Sequence, residues 1–149
     1  MADADSNSFD QFAKINAPKQ VSGIDYLRSI YKALELPIDF VLQFTRLISP
    51  RVLVVDGRVF IADLFDSERH QDFLKSGRSE SSAQFWTNLL EVTGLFDDLP
   101  ESAALELAEC LATSWNRKIE SECVDATGRA RVIHDKSTEE IFVVVGDPD

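Results

Sequence analysis

The segment that most constrains the fold is VLVVDGRVFIA, in which two short apolar runs are separated only by Asp56-Gly57. Two-residue hairpin loops favour positive φ at both central positions, and Asp-Gly is among the strongest sequence signals for such a turn. The sequence therefore predicts a β-hairpin over about residues 52–62. The run at 52–55 is apolar on both faces, which is typical of a strand that is covered on both sides or central in a sheet.

A second hairpin is predicted near the C-terminus. The apolar runs 130–133 and 140–145 flank the polar turn HDKSTE, so the hairpin covers about residues 129–145. Helical patterns fill the rest of the chain, and a strictly alternating βαβ order is absent. The predicted class is α+β: one antiparallel sheet of about four strands, built from the two hairpins, with about five helices packed on it.

The helix boundaries follow from capping residues and from apolar spacing. Ser22 followed by Asp25 resembles a capping box, Asp66 is suited to cap a helix, and Asp98 begins the longest helix. The predicted helices cover about residues 23–35, 38–48, 67–75, 82–93 and 99–121.

Two helical segments have an apolar pattern that predicts burial. Segment 38–48 is apolar nearly all round, so it is expected to be buried on most sides. The longest helix carries apolar residues three or four apart on one stripe. These are Ala104, Ala108, Leu111, Trp115 and Ile119. Trp86 and Trp115 are both predicted to lie in the core, because burying an indole ring removes a large apolar area from water.

The first 20 residues are interpreted as an N-terminal arm, flexible or docked, that precedes a single globular domain at 21–149. Phe9, Phe12 and Ile15 are spaced three apart, which suits docking onto the chain's own domain or onto a neighbour. These three residues are the candidate partner-binding residues.

Charge and cysteine content narrow the function classes. The chain has 26 acidic and 15 basic residues, a net charge of −11, so a nucleic-acid backbone would be repelled. A basic protein partner stays open. The acidic start lacks the pattern of a signal peptide, and no apolar run is long enough to span a membrane. With only Cys110 and Cys123, reduced thiols and a cytoplasmic location are expected.

The densest group of potential metal or catalytic residues follows the first hairpin. Counted from Asp66, the sixth and twelfth positions hold Gln71 and Gly77 where a calcium-binding EF-hand loop needs glycine and glutamate. A solvated helix start is therefore favoured over a metal site. The residues of this group are Asp63, Asp66, Glu68, His70 and Asp72.

Catalytic candidates are weak. Asp63, His70 and Asp72 are the acid–base candidates, since converging carboxylates with a histidine can transfer protons. Cys123 with His134 and Asp135 supplies the residue types of a nucleophile, base and orienting group, but with so few such residues coincidence is favoured. No glycine-rich phosphate loop and no G-x-S-x-G motif are present, and neither a metal nor a cofactor is expected.

The leading hypothesis is a small acidic cytoplasmic protein that is non-enzymatic and binds another protein or itself, including as a homodimer. Besides the arm, the loop at 75–85, with Lys75 and Arg78 on an acidic molecule, could serve a partner. The alternatives are a small metal-assisted or acid–base hydrolase with carboxylates near Asp63–Asp72, and a ligand-sensing domain with a pocket between the sheet and the apolar segment 38–48.

Overall fold

A computed structural model describes residues 7–97 and 99–148, and the chain divides into two units, Met1–Leu42 and Gln43–Asp149. The described residues form six α-helices and five β-strands. The helices are α1 (Phe9–Asn16), α2 (Gly23–Ala33), α3 (Ile38–Ile48), α4 (Ser67–Lys75), α5 (Glu80–Thr87) and α6 (Glu101–Glu122). The strands are β1 (Val52–Val55), β2 (Arg58–Ile61), β3 (Leu90–Glu91), β4 (Ala130–Asp135) and β5 (Glu140–Val145).

The predicted α+β class is confirmed, but the single four-stranded sheet is wrong. Each predicted hairpin belongs to its own antiparallel sheet: β1 pairs with β2, and β4 pairs with β5. The short strand β3 joins the second hairpin and gives a three-stranded sheet in the order β3-β5-β4. There are also six described helices where five were predicted.

Side-chain amides of α5 explain why the sheets stay separate. Asn88 follows α5 and lies between β2 and β5: its Nδ2 donates to the carbonyls of Val59 and Val145, and its Oδ1 accepts from the Ile61 N–H. Gln84 Nε2 also donates to the Val59 carbonyl. The edge of β2 that faces away from β1 is thus satisfied by these carboxamides and by the Thr127 carbonyl, which accepts from the Val59 N–H.

The carboxamide of Gln84 is packed against two glycines. A Cβ at Gly128 would lie 2.5 Å from Gln84 Nε2, and a Cβ at Gly146 would lie 3.0 Å from Gln84 Oε1. Both glycines have positive φ, +130° and +104°. The two glycines therefore leave the space that this buried amide fills.

The predicted helix at 82–93 is wrong at its C-terminal end. The helix stops at Thr87, Asn88 turns inward, and Leu90–Glu91 pairs with β5 as β3. Trp86 is 39% exposed, so its predicted place in the core is also wrong. The hydrogen bonds of the Asn88 side-chain carboxamide stabilise this inward turn more than continuing the helix along its apolar pattern would.

The core of the second unit lies between α6 and the three-stranded sheet. The predicted apolar stripe of α6 is buried throughout, and Trp115 is 1% exposed. Its indole Nε1 donates to the Leu47 carbonyl, and the Ser114 hydroxyl donates to the Ile48 carbonyl. These bonds satisfy carbonyls in the last turn of α3, which lack partners within their own helix.

The predicted local geometry is confirmed at three positions. Asp56 and Gly57 both have positive φ, 49° and 76°, as the hairpin turn requires. Ser22 caps α2, and Asp66 caps α4 by accepting from two backbone N–H groups of the first turn. The predicted cap of α6, Asp98, lies outside the described residues.

Two predictions of burial are wrong. β1 has a single neighbour, and Val54 is 51% exposed, so β1 is neither central nor covered on both sides. No residue of α3 is buried, and Ile38 is 58% exposed. In α3, Leu47 and Ile48 of the last turn pack against the core, and the Phe44 ring centroid lies 6.1 Å from that of Phe96. An apolar sequence pattern shows which residues can be buried, but not whether another helix or strand lies over them.

Candidate functional site

The three acid–base candidates lie in different environments. Asp63 and Asp72 are exposed, whereas His70 is only 5% exposed and lies against two aromatic rings. Its ring centroid is 4.9 Å from that of Phe60 and 5.6 Å from that of Phe65. Among the described residues, no hydrogen bond or ion pair joins any two of the three candidates. The arrangement places a histidine in an aromatic core and two carboxylates in water.

The face of α4 that holds Asp72 is an open depression of about 410 Å³. It does not include Asp63 or His70. Asp66 is engaged in capping, with its Oδ1 2.9 Å from the N–H of Glu68. The residues that line the depression are Ser67, Glu68, Gln71, Asp72 and Lys75. These polar side chains suit hydration better than exclusion of water, which proton-transfer sites generally need.

Among the described residues, no hydrogen bond or ion pair joins Cys123, His134 and Asp135 to one another. Cys123 is buried, with 7% of its surface exposed, and His134 Nε2 lies 3.7 Å from Glu101 Oε1. Asp135 accepts hydrogen bonds from the hydroxyl and N–H of Ser137, which hold the pKa of Asp135 below its usual value. In the part of the chain that the structure describes, no three His, Cys, Asp or Glu residues are arranged to hold a metal ion.

The candidate partner-binding residues of the arm divide into two kinds. Phe9 and Phe12 both pack edge-on against Tyr26 of α2, at centroid distances of 5.6 and 5.7 Å. The Tyr26 hydroxyl donates to the Asn7 carbonyl. Ile15, in contrast, is 76% exposed. Two of the three residues thus attach α1 to α2, and the third faces solvent.

An exposed apolar stripe runs along α2. Ile24, Leu27 and Leu34 are 68%, 67% and 49% exposed, and the half-buried Tyr31 lies on the same face. Their spacing of three and four residues defines one side of the helix. We call these four residues the α2 stripe. The helical spacing of these residues predicted the helix, but periodicity cannot distinguish a covered face from an open one.

Exposed apolar side chains are concentrated in the first unit. Twelve large apolar side chains are exposed among the described residues, and nine belong to residues 7–42. Those nine are Phe9, Ile15, Ile24, Leu27, Leu34, Ile38, Phe40, Val41 and Leu42. In the same range no residue of α1 or α2 is buried. A concentration of this kind is typical of an interaction surface.

The loop between α4 and α5 places its arginine on aromatic rings. The Arg78 guanidinium lies 5.3 Å from the ring centroids of both Phe73 and Trp86, and Arg69 lies 5.2 Å from that of Phe73. This stacking covers part of the exposed Trp86. Lys75, the last residue of α4, lines the depression on that helix.

Known proteins add no family assignment. No protein-family model, curated protein or solved structure matches the chain. None of the described helices has both the length and the apolar character needed to cross a membrane. Function must therefore be inferred from the chain's own residues.

Proposed function

We propose that this protein is a non-enzymatic module that binds a second copy of itself through the α2 stripe. The observation that carries the proposal is the exposure of Ile24, Leu27 and Leu34 on one face of a helix that buries none of its own residues. Fully burying a leucine or isoleucine side chain is worth about 1.5–3 kcal/mol. A second copy that brings the same face would cover both stripes at once.

The distribution of charge favours a second copy as the occupant. Residues 7–42 contain four acidic and four basic side chains, whereas residues 43–149 contain 20 acidic and 11 basic ones. The excess of negative charge on the second unit works against a contact between two copies there, unless residues of opposite charge face each other in the contact. The balanced first unit does not impose this repulsion.

The same balance argues against a lipid surface as the occupant. Amphipathic helices that lie on membranes usually carry an excess of Lys and Arg on their polar face. In α2 the basic residues Arg28 and Lys32 lie with the acidic Asp25, so the net charge of the helix is only +1 and its basic excess is small. A protein surface with a matching apolar stripe fits these residues better.

The cytoplasmic location stays a prediction from the cysteine content.

The test is the mass of the full-length chain in solution. Leu27→Glu places a charge in the α2 stripe and is expected to weaken self-association about tenfold or more, because a carboxylate resists burial at an apolar contact. Light scattering over a dilution series would show its average mass falling below that of the wild type at equal concentration. Ser29→Glu, on the opposite face of α2, adds the same charge and is the matched control.

The control is expected to keep the wild-type mass at every concentration. A wild-type chain that stays at 16.7 kDa over the whole series would contradict the proposal. Equal masses for the Leu27→Glu and Ser29→Glu variants would contradict it as well. Binding of the wild type to vesicles, lost in Leu27→Glu without any change in mass, would assign the stripe to lipid and overturn the proposal.

A further inference from the structure

The hydrogen bonds of β4 show which of its backbone groups point away from β5. The order β3-β5-β4 makes β4 an edge strand. The Arg129 carbonyl accepts a hydrogen bond from the Gly146 N–H, so the backbone of Arg129 faces β5. The N–H and C=O of Ala130 point the opposite way and bond to the carboxamide of Asn116, at 2.7 and 2.8 Å. Asn116 thus occupies the first position on this edge.

The next two outward positions on the edge are open. Backbone groups alternate in direction along an antiparallel strand, so Val132 and His134 point outward like Ala130. Within residues 7–97 and 99–148, no group hydrogen-bonds to the outward N–H or C=O of Val132 or His134. An edge with such groups can accept another strand.

We propose that the β4 edge pairs with the β4 edge of a second copy, antiparallel and centred on Ile133. In this register Val132 lies opposite His134 of the second copy, and the two residues exchange both backbone hydrogen bonds. Because the pairing is symmetric, the same exchange occurs on each side of Ile133. The contact joins two three-stranded sheets and is independent of the α2 stripe.

Charge selects this occupant and this register. The pairing places Arg131 opposite Asp135 of the second copy, and Asp135 opposite Arg131, on one face of the joined sheet. Opposite charges at directly facing positions stabilise a strand pair. Within the β4–β5 pair, Asp135 lies opposite Glu140 and not opposite a basic residue.

Arg131 has donor capacity available for the contact. Its Nε lies 3.0 Å from Asp147 Oδ1, but this buried nitrogen makes no hydrogen bond among the described residues. Asp147 is itself 80% exposed in its side chain, so water screens the ion pair. Reorienting Arg131 would exchange this exposed ion pair, and the contact of its guanidinium with the Phe85 ring at 5.9 Å from the centroid, for an ion pair with Asp135 of a second copy.

A charge swap tests the contact. All chains carry Leu27→Glu, so that association through the α2 stripe does not contribute. Sedimentation is expected to show a concentration-dependent dimer, and Arg131→Asp or Asp135→Arg is expected to weaken it about fivefold or more. The double variant restores opposite charges at the facing positions. Its dimer dissociation constant is expected to lie within about twofold of that of the Leu27→Glu parent. Ser137→Ala removes the hydroxyl that donates to Asp135, keeps the donating Ser137 N–H, changes no charge and is the matched control.

Two results would overturn the inference: a Leu27→Glu chain that is monomeric at every concentration, or a double variant as weak as the single variants. Neither result bears on the mass difference between wild type and Leu27→Glu, which tests the α2 stripe. Hydrogen exchange gives a second readout that needs no substitution in β4. The amides of Val132 and His134 should become more protected as the concentration rises, and unchanged protection would contradict the pairing.

Discussion

Single carboxamides hold together parts of the second unit that backbone bonds do not connect. Asn88 connects β2 to β5, Gln84 connects α5 to β2, and Asn116 bonds to both backbone groups of Ala130 at the start of β4. A carboxamide carries a donor and an acceptor, so each of these residues substitutes for a short piece of strand. The fold depends on them because a buried backbone group without a partner is costly.

Asn88→Ala should therefore lower the free energy of unfolding by about 2–4 kcal/mol, because it leaves buried groups of β2 and β5 without partners. Urea denaturation followed by fluorescence of the two tryptophans measures the change. Gln71→Ala, which removes an exposed amide from α4, is the control and should change stability by less than about 0.5 kcal/mol. Equal effects of the two substitutions would show that Asn88 is not a structural link.

For single residues, the sequence predicts interactions with near neighbours in the chain but not hydrogen bonds to residues far away in it. Asp56-Gly57 and Asp66 act on neighbours within three residues, so their roles follow from the sequence. Asn88 bonds to residues 27 to 57 positions away, and no local pattern contains that information. The same limit applies to His70, whose aromatic neighbours become visible only in the fold.

A capping box holds the N-terminal end of α2. In α2 the Ser22 hydroxyl accepts from the Asp25 N–H, and the Asp25 carboxylate accepts from the Ser22 N–H. Hydrogen bonds from the Ser22 backbone and side chain lower the pKa of Asp25 from its usual 3.8. The ionised carboxylate is thus the form that holds the first turn.

Acid should loosen this turn. Because the pKa of Asp25 is lower in the folded helix, its contribution is fully present above pH 3.8 and is lost as the pH falls through the lowered value. An NMR titration of the Ser22 amide proton should give a midpoint below 3.8. Asp25→Asn should abolish the titration, whereas Asp39→Asn in α3 should leave it unchanged. A midpoint at or above 3.8 would contradict the capping role.

Element boundaries were predictable where a cap or a turn marks them. Segments 38–48, 67–75 and 140–145 have the predicted bounds, and each is bordered by proline, an aspartate cap or a polar turn. The region 82–93 has no such marker after Thr87, so its apolar pattern was extended through β3. Strand pairing across the chain, and not local preference, decides the structure there.

Across the whole molecule, charge and exposed apolar surface lie on different units. The second unit carries the excess of negative charge, and the first carries most of the exposed apolar side chains. Composition predicted an acidic protein but not where the charge lies. The arm residues Phe9, Phe12 and Ile15 lie in the same unit as the α2 stripe, and their partner-binding role stays a prediction.

Salt should strengthen self-association through the α2 stripe. Raising NaCl from about 0.05 M to about 0.5 M screens the repulsion between the acidic second units and leaves an apolar contact intact. Sedimentation of a chain with Arg131→Asp, which weakens the strand contact, should show dimers about severalfold tighter at high salt. The same chain with Leu27→Glu should show no such gain. Weakening by salt would mean that ion pairs hold the contact.

The packing of Gln84 against Gly128 and Gly146 also limits which substitutions these three positions can accept during evolution. A side chain at either glycine would occupy the space of the amide, and a larger residue at position 84 would press on both glycines. A substitution at one of the three positions is therefore tolerated only with compensation at another. In natural variants we expect these positions to covary, so that a comparison of sequences would report their contact without any structure.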